Sequence, residues 1–207
     1  MALDTYANLK TAIADWLNRE DLTAVIADFI TLAEADFGPK VKHWRMEKRS
    51  NATTSAQFMD IPSDFIEPIR FGLDTNNQHR VEFVSSADMA QMRENTKDST
   101  GTPQYWTFTD GKIEVYPTPD GTYTTELVYL ASVTALSDAN TTNWVLTNHP
   151  NVYLFGALIQ AAPYLQADDR LRTWAALYQT ALDGVGESDR RARSGGAGLK
   201  MHIRGVK

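Results

Sequence analysis

Residues 105–116 read YWTFTDGKIEVY, two runs rich in aromatic and β-branched residues on either side of Asp110-Gly111. Asp-Gly suits a two-residue turn in which both central residues take positive φ, and such a turn matches the twist of paired strands. The stretch predicts a β-hairpin, Tyr105 to Thr109 against Lys112 to Tyr116. Outward from it, short alternating runs cut by turn residues extend over residues 47–133. Upstream, Phe58-Met59-Asp60-Ile61-Pro62 closes one strand, and Ile66 to Leu73 and Arg80 to Val84 predict two more. Ser86 to Asn95 predicts a short helix with Met89 and Met92 inside. Downstream, Pro119-Asp120-Gly121 turns the chain into a last strand, Thr122 to Ala131. The block reads as a small antiparallel sheet.

Helical periodicity flanks this block on both sides. Tyr6, Leu9, Ile13, Trp16 and Leu17 fall on one face, with Asp4 placed to cap the N-terminus. A second helix follows Asp21, with Val25, Ile26, Phe29, Ile30, Ala33 and Phe37 as its stripe. Gly38-Pro39 reads as its stop, glycine in left-handed geometry and proline unable to continue the ladder. After the sheet, Pro150 suits a first helical turn, with His149 or Asn148 as cap. That third helix runs to about Leu165, is apolar nearly all round, and is bent or ended by Pro163. Asp168-Asp169 opens a fourth, with Leu171, Trp174, Tyr178, Ala181, Leu182 and Val185 inward. The expected fold class is α+β: a helical bundle of about four helices with an inserted small antiparallel β-sheet and an extended C-terminal arm. The expected boundaries are 1–46 and 134–189 for the bundle, 47–133 for the insertion, and 190–207 for a basic tail.

Of the 207 residues 43% are hydrophobic and 22% charged, enough apolar surface for a packed core and too little charge for wholesale disorder. The chain has no cysteine, which removes disulfides, thiolate nucleophiles and cysteine-type zinc sites together. No secretion signal is read at the N-terminus, and no run approaches the roughly 18 apolar residues of a membrane span, so no membrane partner is expected. Net charge is −6. Six of the 20 Lys and Arg residues lie from Arg190 on, where there is no Asp or Glu, leaving 14 against 26 acidic residues before it. An acidic body lacks the positive footprint that phosphate neutralisation requires.

Chemistry-bearing motifs are few. His43, His79, His149 and His202 are dispersed, without metal-ligand spacing, and read as surface or capping residues; no metal and no cofactor is expected. No nucleophile elbow or phosphate-cradling loop is present. Asp60 and Asp64 near a strand corner, with the aromatics Tyr105, Trp106 and Tyr116, allow a second reading as a carbohydrate-binding or hydrolysing surface. Turn formation and cross-strand packing explain the same residues. The tail is more informative. Leu199, Lys200, Met201, His202, Ile203 and Arg204 alternate apolar and polar after the glycine-rich Ser194-Gly195-Gly196-Ala197-Gly198. That is the period of a half-buried strand with no partner strand nearby in sequence, so its backbone groups call for an edge on another chain.

Three stretches taken in order carry a resemblance. YANLKTAIADWLNREDLTAVIADFITLAEADF at the start, FMDIPSDFIEPIRF in the middle and HPNVYLFGALIQAAPYLQADDRLRTWAALYQTAL near the end resemble head-to-tail adaptor proteins of tailed bacteriophages, the tail tubular protein A group among them. The resemblance implies a helix bundle with a β insertion, not an enzyme. It implies a homo-oligomeric ring, a dodecamer in that group, that docks on the portal protein, receives a tail or nozzle protein and lets DNA pass without specific binding. It places the chain in the virion neck, assembled in the host bacterial cytoplasm, with Leu199 to Arg204 gripping the portal. Another neck component, a stopper, is the nearest alternative. One departure is Gly38-Pro39, which interrupts the region where the second helix of that group runs on.

Overall fold

The computed structural model describes residues 3–19, 21–74, 79–96, 99–165 and 170–194. The fold is mixed α+β, and the chain divides into two units. One is formed by the chain up to Met46 together with the chain from Val133, the other by Glu47–Ser132.

The first unit is helical. Helix α1 (Tyr6–Leu17) is capped by Thr5, whose Oγ1 accepts from the Asn8 amide at 3.3 Å. Asp4, the expected cap, instead accepts from the Asn8 side chain at 2.7 Å. The shorter threonine, one residue nearer, reaches the orphan amide. Helix α2 (Ile26–Phe37) buries Ile26, Phe29, Ile30, Ala33 and Phe37. Its end differs from expectation: Gly38 keeps helical dihedrals (φ −49°, ψ −50°) and donates to the Glu34 carbonyl. The chain then leaves through a turn in which the Lys40 and Val41 amides both reach the Phe37 carbonyl at 2.9 Å. A 3₁₀ turn, Trp44–Met46, leads out of the unit.

Three helices follow residue 133. The short α4 (Trp144–Asn148), not foreseen from periodicity, is nucleated by Asn143, whose side-chain oxygen accepts from the Leu146 amide at 2.9 Å. Helix α5 (Pro150–Ala161) begins on its proline, and His149 at its N-cap makes no side-chain capping bond. It packs on α1, on α2 and on α6 (Leu171–Ser194). Gly156 permits this approach. A β-carbon there would stand 3.2 Å from both the Ala33 β-carbon and the Tyr178 ring. Leu158 is fully enclosed, whereas Phe155 and Ile159 are half-buried, Phe155 lying edge-on to Trp16 at 5.6 Å. Trp16 and Leu171, expected inside, are 46% and 40% exposed.

Helix α6 runs further than periodicity suggested. Arg190 to Ser194, expected in an extended tail, are its last turn. Glu187 pairs with Arg190 and Arg191, and Asp189 with Arg193, across one turn, and cations at a helix C-terminus offset the dipole. Three of the six tail cations are thus compensated locally. Among the described residues no helix is long and apolar enough to cross a membrane.

The loop from Val133 to α4 is pinned by one carboxylate. Glu34 accepts from the Leu136 amide and from the Tyr153 hydroxyl, both at 2.8 Å, and Asn143 donates to that hydroxyl at 2.6 Å. Burial raises the Glu34 pKa against the opposing pull of these two donors. A carboxyl whose folded pKa is raised contributes most below its unfolded pKa, and that contribution is lost as pH rises through the folded value. Glu34→Gln keeps the acceptor without the buried charge. It is expected to be at least as stable as the parent at neutral pH and to lose the parent's decline between acid and neutral pH, read by thermal melts across that range. A variant clearly less stable than the parent at neutral pH contradicts this.

The second unit holds two four-stranded sheets instead of one. The strands are β1 (Glu47–Thr54), β2 (Phe58–Asp60), β3 (Phe65–Leu73), β4 (His79–Arg80), β5 (Glu82–Phe83), β6 (Tyr105–Thr109), β7 (Lys112–Tyr116) and β8 (Tyr123–Ala131). One sheet runs β1-β8-β3-β4, the other β2-β7-β6-β5. The single strand expected over Arg80 to Val84 is broken at buried Val81, where the chain passes from one sheet to the other. Pairing is antiparallel except for the short parallel contact of β5 with β6. Asp110 (φ 51°) and Gly111 (φ 68°) make the two-residue turn between β6 and β7. Phe71, Leu73, Val81, Trp106, Ile113, Val115, Leu127, Tyr129 and Ala131 form the core of this unit. Helix α3 (Ser86–Asn95) is capped by Ser85 and buries Met89, with Met92 half-buried.

Candidate functional site

The arm residues Leu199, Lys200, Met201, His202, Ile203 and Arg204 lie outside the described residues, as do Asp168 and Asp169. What the structure places is the base of the arm, the last turn of α6. There Asp189 accepts from the Arg193 guanidinium at 2.8 Å and from the Trp44 amide at 2.6 Å. One carboxylate therefore holds the end of α6 to the segment that leaves the helical unit.

Beside it lies a cluster that sequence spacing did not suggest. His43 is 3% exposed, stacked on Trp144 with ring centroids 4.7 Å apart. Its Nδ1 accepts from the Arg45 amide at 3.2 Å, so Nε2 carries the proton and donates to Ser188 Oγ at 3.1 Å. His149 Nε2 stands 3.4 Å from the same hydroxyl. Burial lowers the His43 pKa; Asp189 opposes this, and His149, Arg45 and Arg193 add to it. Burial, then Arg45, lowers the His149 pKa as well. The arrangement is not a nucleophile with its base. His43 donates to the serine, and Ser188 Oγ lies 2.7 Å from its own helix's Val185 carbonyl as donor. The cluster is a joint between residues 43–45, the α4–α5 junction and α6. Nothing local in the sequence signals it, since His43 and its stacking partner Trp144 lie far apart along the chain.

The residues of the carbohydrate reading do not assemble. Trp106 is 4% exposed, set in the core against Phe71 and Phe108, leaving no ring face for a sugar. Asp60 stands in solvent and pairs with Lys112 at 3.0 Å. Asp64 is engaged on both oxygens, by Lys48 at 2.6 Å and the Tyr129 hydroxyl at 2.8 Å. The Lys48 bond outweighs burial and, with Tyr129, holds the Asp64 pKa low; burial and Asp64 push Tyr129 up to about 12. These are structural bonds that tie β1, the β2–β3 corner and β8. Among the described residues no group of three or more metal-ligating side chains comes together.

With catalytic geometry lacking at the candidate positions, what remains is the order of elements: two helices, a β insertion, and a helical return ending in a basic segment. No curated protein matches the chain. The family model described as SU10 adaptor protein matches residues 4–200, nearly its whole length. The chain therefore belongs to the SU10 adaptor protein family, a family of phage head-to-tail adaptors, and is a bacteriophage structural protein.

Proposed function

We propose that the chain is the adaptor ring that docks on the portal, extends the DNA channel and offers the tail its attachment platform. The family match over residues 4–200 carries this reading. In it, α1, α2, α5 and α6 act as a four-helix bundle, the β unit is the insertion, and the copies close into a ring, a dodecamer as in the adaptors the sequence resembles. The ring sits in the virion neck after assembly in the host bacterial cytoplasm, and the role is architectural.

Two further observations support the reading. The segment Leu199 to Arg204 has strand alternation and no sequence-local partner, as strand addition to a portal edge requires. Leu199, Met201 and Ile203 would fill pockets on one face, with Lys200, His202 and Arg204 on the other. The chain before Arg190 has 14 basic against 26 acidic residues, a surface that DNA slides past instead of adhering to. The test is co-sedimentation with purified portal rings. Truncation after Arg193 is expected to leave the melting of both units nearly unchanged and to weaken attachment by an order of magnitude or more. If the truncated chain binds as tightly as the full one, the arm is not the anchor.

A further inference from the structure

The hydrogen bonds around His43 fit only a neutral ring. Nδ1 accepts from the Arg45 amide at 3.2 Å, and Nε2 donates to Ser188 Oγ at 3.1 Å. The Ser188 hydroxyl gives its own proton to the Val185 carbonyl, so toward the two imidazoles it acts as acceptor. A second proton on the His43 ring has to sit on Nδ1, where it meets the Arg45 N–H, donor against donor. The carboxylate that faces the ring, Asp189, already holds the Trp44 amide on one oxygen and the Arg193 guanidinium on the other. The other charged or titratable groups around the ring oppose a positive charge: Arg193 from α6, His149 from the α4–α5 junction and Arg45 from its own segment. Helix α4 contributes the uncharged Trp144, stacked on the ring face. All of these groups belong to the helical unit.

We propose that His43 is an acid-released latch on the end of α6. With a neutral ring it ties residues 43–45 to Ser188 directly and, through the Trp44 amide, to Asp189. With a charged ring these ties open together and the last two turns of α6 loosen. The front of the helix, which packs on α5 and buries Trp174, Tyr178 and Ala181, stays in place. His149 shares the hydroxyl through the longer contact, 3.4 Å, so His43 is the group whose protonation counts. Burial, joined by the repulsion of His149, Arg45 and Arg193, outweighs Asp189 and holds the His43 pKa below its ordinary value. The folded chain therefore binds fewer protons here than the unfolded one. The latch contributes fully above the ordinary histidine value and is lost as pH falls from there through the folded value. The glycine-rich segment and the arm follow α6 directly in sequence, so the latch sets how firmly the base of the arm is held.

The experiment is amide hydrogen exchange of the full chain from about pH 8 to about pH 5, corrected for the intrinsic pH dependence of exchange. Protection of residues 186–194 is expected to fall roughly tenfold or more on acidification, while that of residues 171–182 changes little. His43→Gln, which keeps a donor and takes up no proton, is expected to lose this step, and His149→Gln to keep it. The midpoint of the step in the parent is expected to coincide with titration of the His43 ring, followed by NMR of isotope-labelled histidine and assigned by its contacts with the Trp144 ring. That comparison needs no variant, so it decides even if His43→Gln fails to fold. The proposal is overturned if the parent shows no step, or if residues 171–182 lose protection along with the end of the helix. It is overturned equally if the step survives in His43→Gln, disappears in His149→Gln, or has its midpoint in the carboxylate range, away from the His43 titration. None of these measurements uses the portal, so their outcome is separate from that of the truncation.

Discussion

Leu158→Ala is expected to destabilise the helical unit by about 2 to 5 kcal/mol, the range for emptying a fully packed leucine site. Leu158 has no exposed surface, and its helix packs on α1, α2 and α6. Two residues before it, Gly156 brings the Ala33 and Tyr178 side chains close to the same helix. The measurement is a denaturant titration followed in the far ultraviolet. Because the chain has two units, the helical transition is fitted apart from that of the β unit. A shift well under about 1 kcal/mol would mean that this side chain does not lie in the shared core of the helices.

Glu114→Ala is expected to have an effect of similar size in the other unit, about 3 to 5 kcal/mol, as for removal of one partner of a buried pair. The Glu114 side chain on β7 is 8% exposed. It accepts from Arg93 Nε at 2.6 Å, Gln57 Nε2 at 2.8 Å and Thr109 Oγ1 at 2.9 Å. Arg93, reaching in from α3, also donates to the Val115 carbonyl at 2.8 Å. Removing the carboxylate leaves a partly buried guanidinium and two polar groups without their acceptor. Burial pushes the Glu114 pKa up, but the bonds from Gln57, Arg93 and Thr109 outweigh it and the pKa lies below its ordinary value. A carboxylate with a lowered folded pKa contributes stability above its unfolded pKa and loses it as pH falls through the folded value. The penalty of Glu114→Ala is therefore expected to be full at neutral pH and to shrink in acid. A penalty independent of pH would show that the loss is one of packing and not of charge.

Elements with a strong local code were legible in the sequence. Asp110-Gly111 specified its turn because few residue pairs tolerate two positive φ values, and α2 showed its stripe because its whole inner face is apolar. Strand β1 was not legible as a strand: EKRSNATT is polar on both faces, since this edge strand exposes all but Ser50 and Thr54 and is held by backbone pairing to β8. The split at Val81 was hidden because a single buried valine between two short strands looks like one alternating strand. Arg190 to Ser194 were misassigned because their charges were counted in bulk, without the Glu187 and Asp189 partners one turn back. The joint of His43, His149 and Ser188 depends on residues 39 and 145 positions apart, and no local pattern encodes it. The arm, Leu199 to Arg204, lies outside the described residues, and only its alternation of apolar and polar residues speaks.

The central claim is that this chain assembles on the portal as a ring. The most direct measurement is electron microscopy of purified full-length protein mixed with purified portal rings, with stoichiometry from mass photometry of the same sample. The account predicts a closed ring of this chain coaxial with the portal, its copies in a fixed ratio to portal subunits and its central channel continuous with the portal channel. Portal rings that remain bare, with the chain migrating apart from them at every mixing ratio, would contradict it.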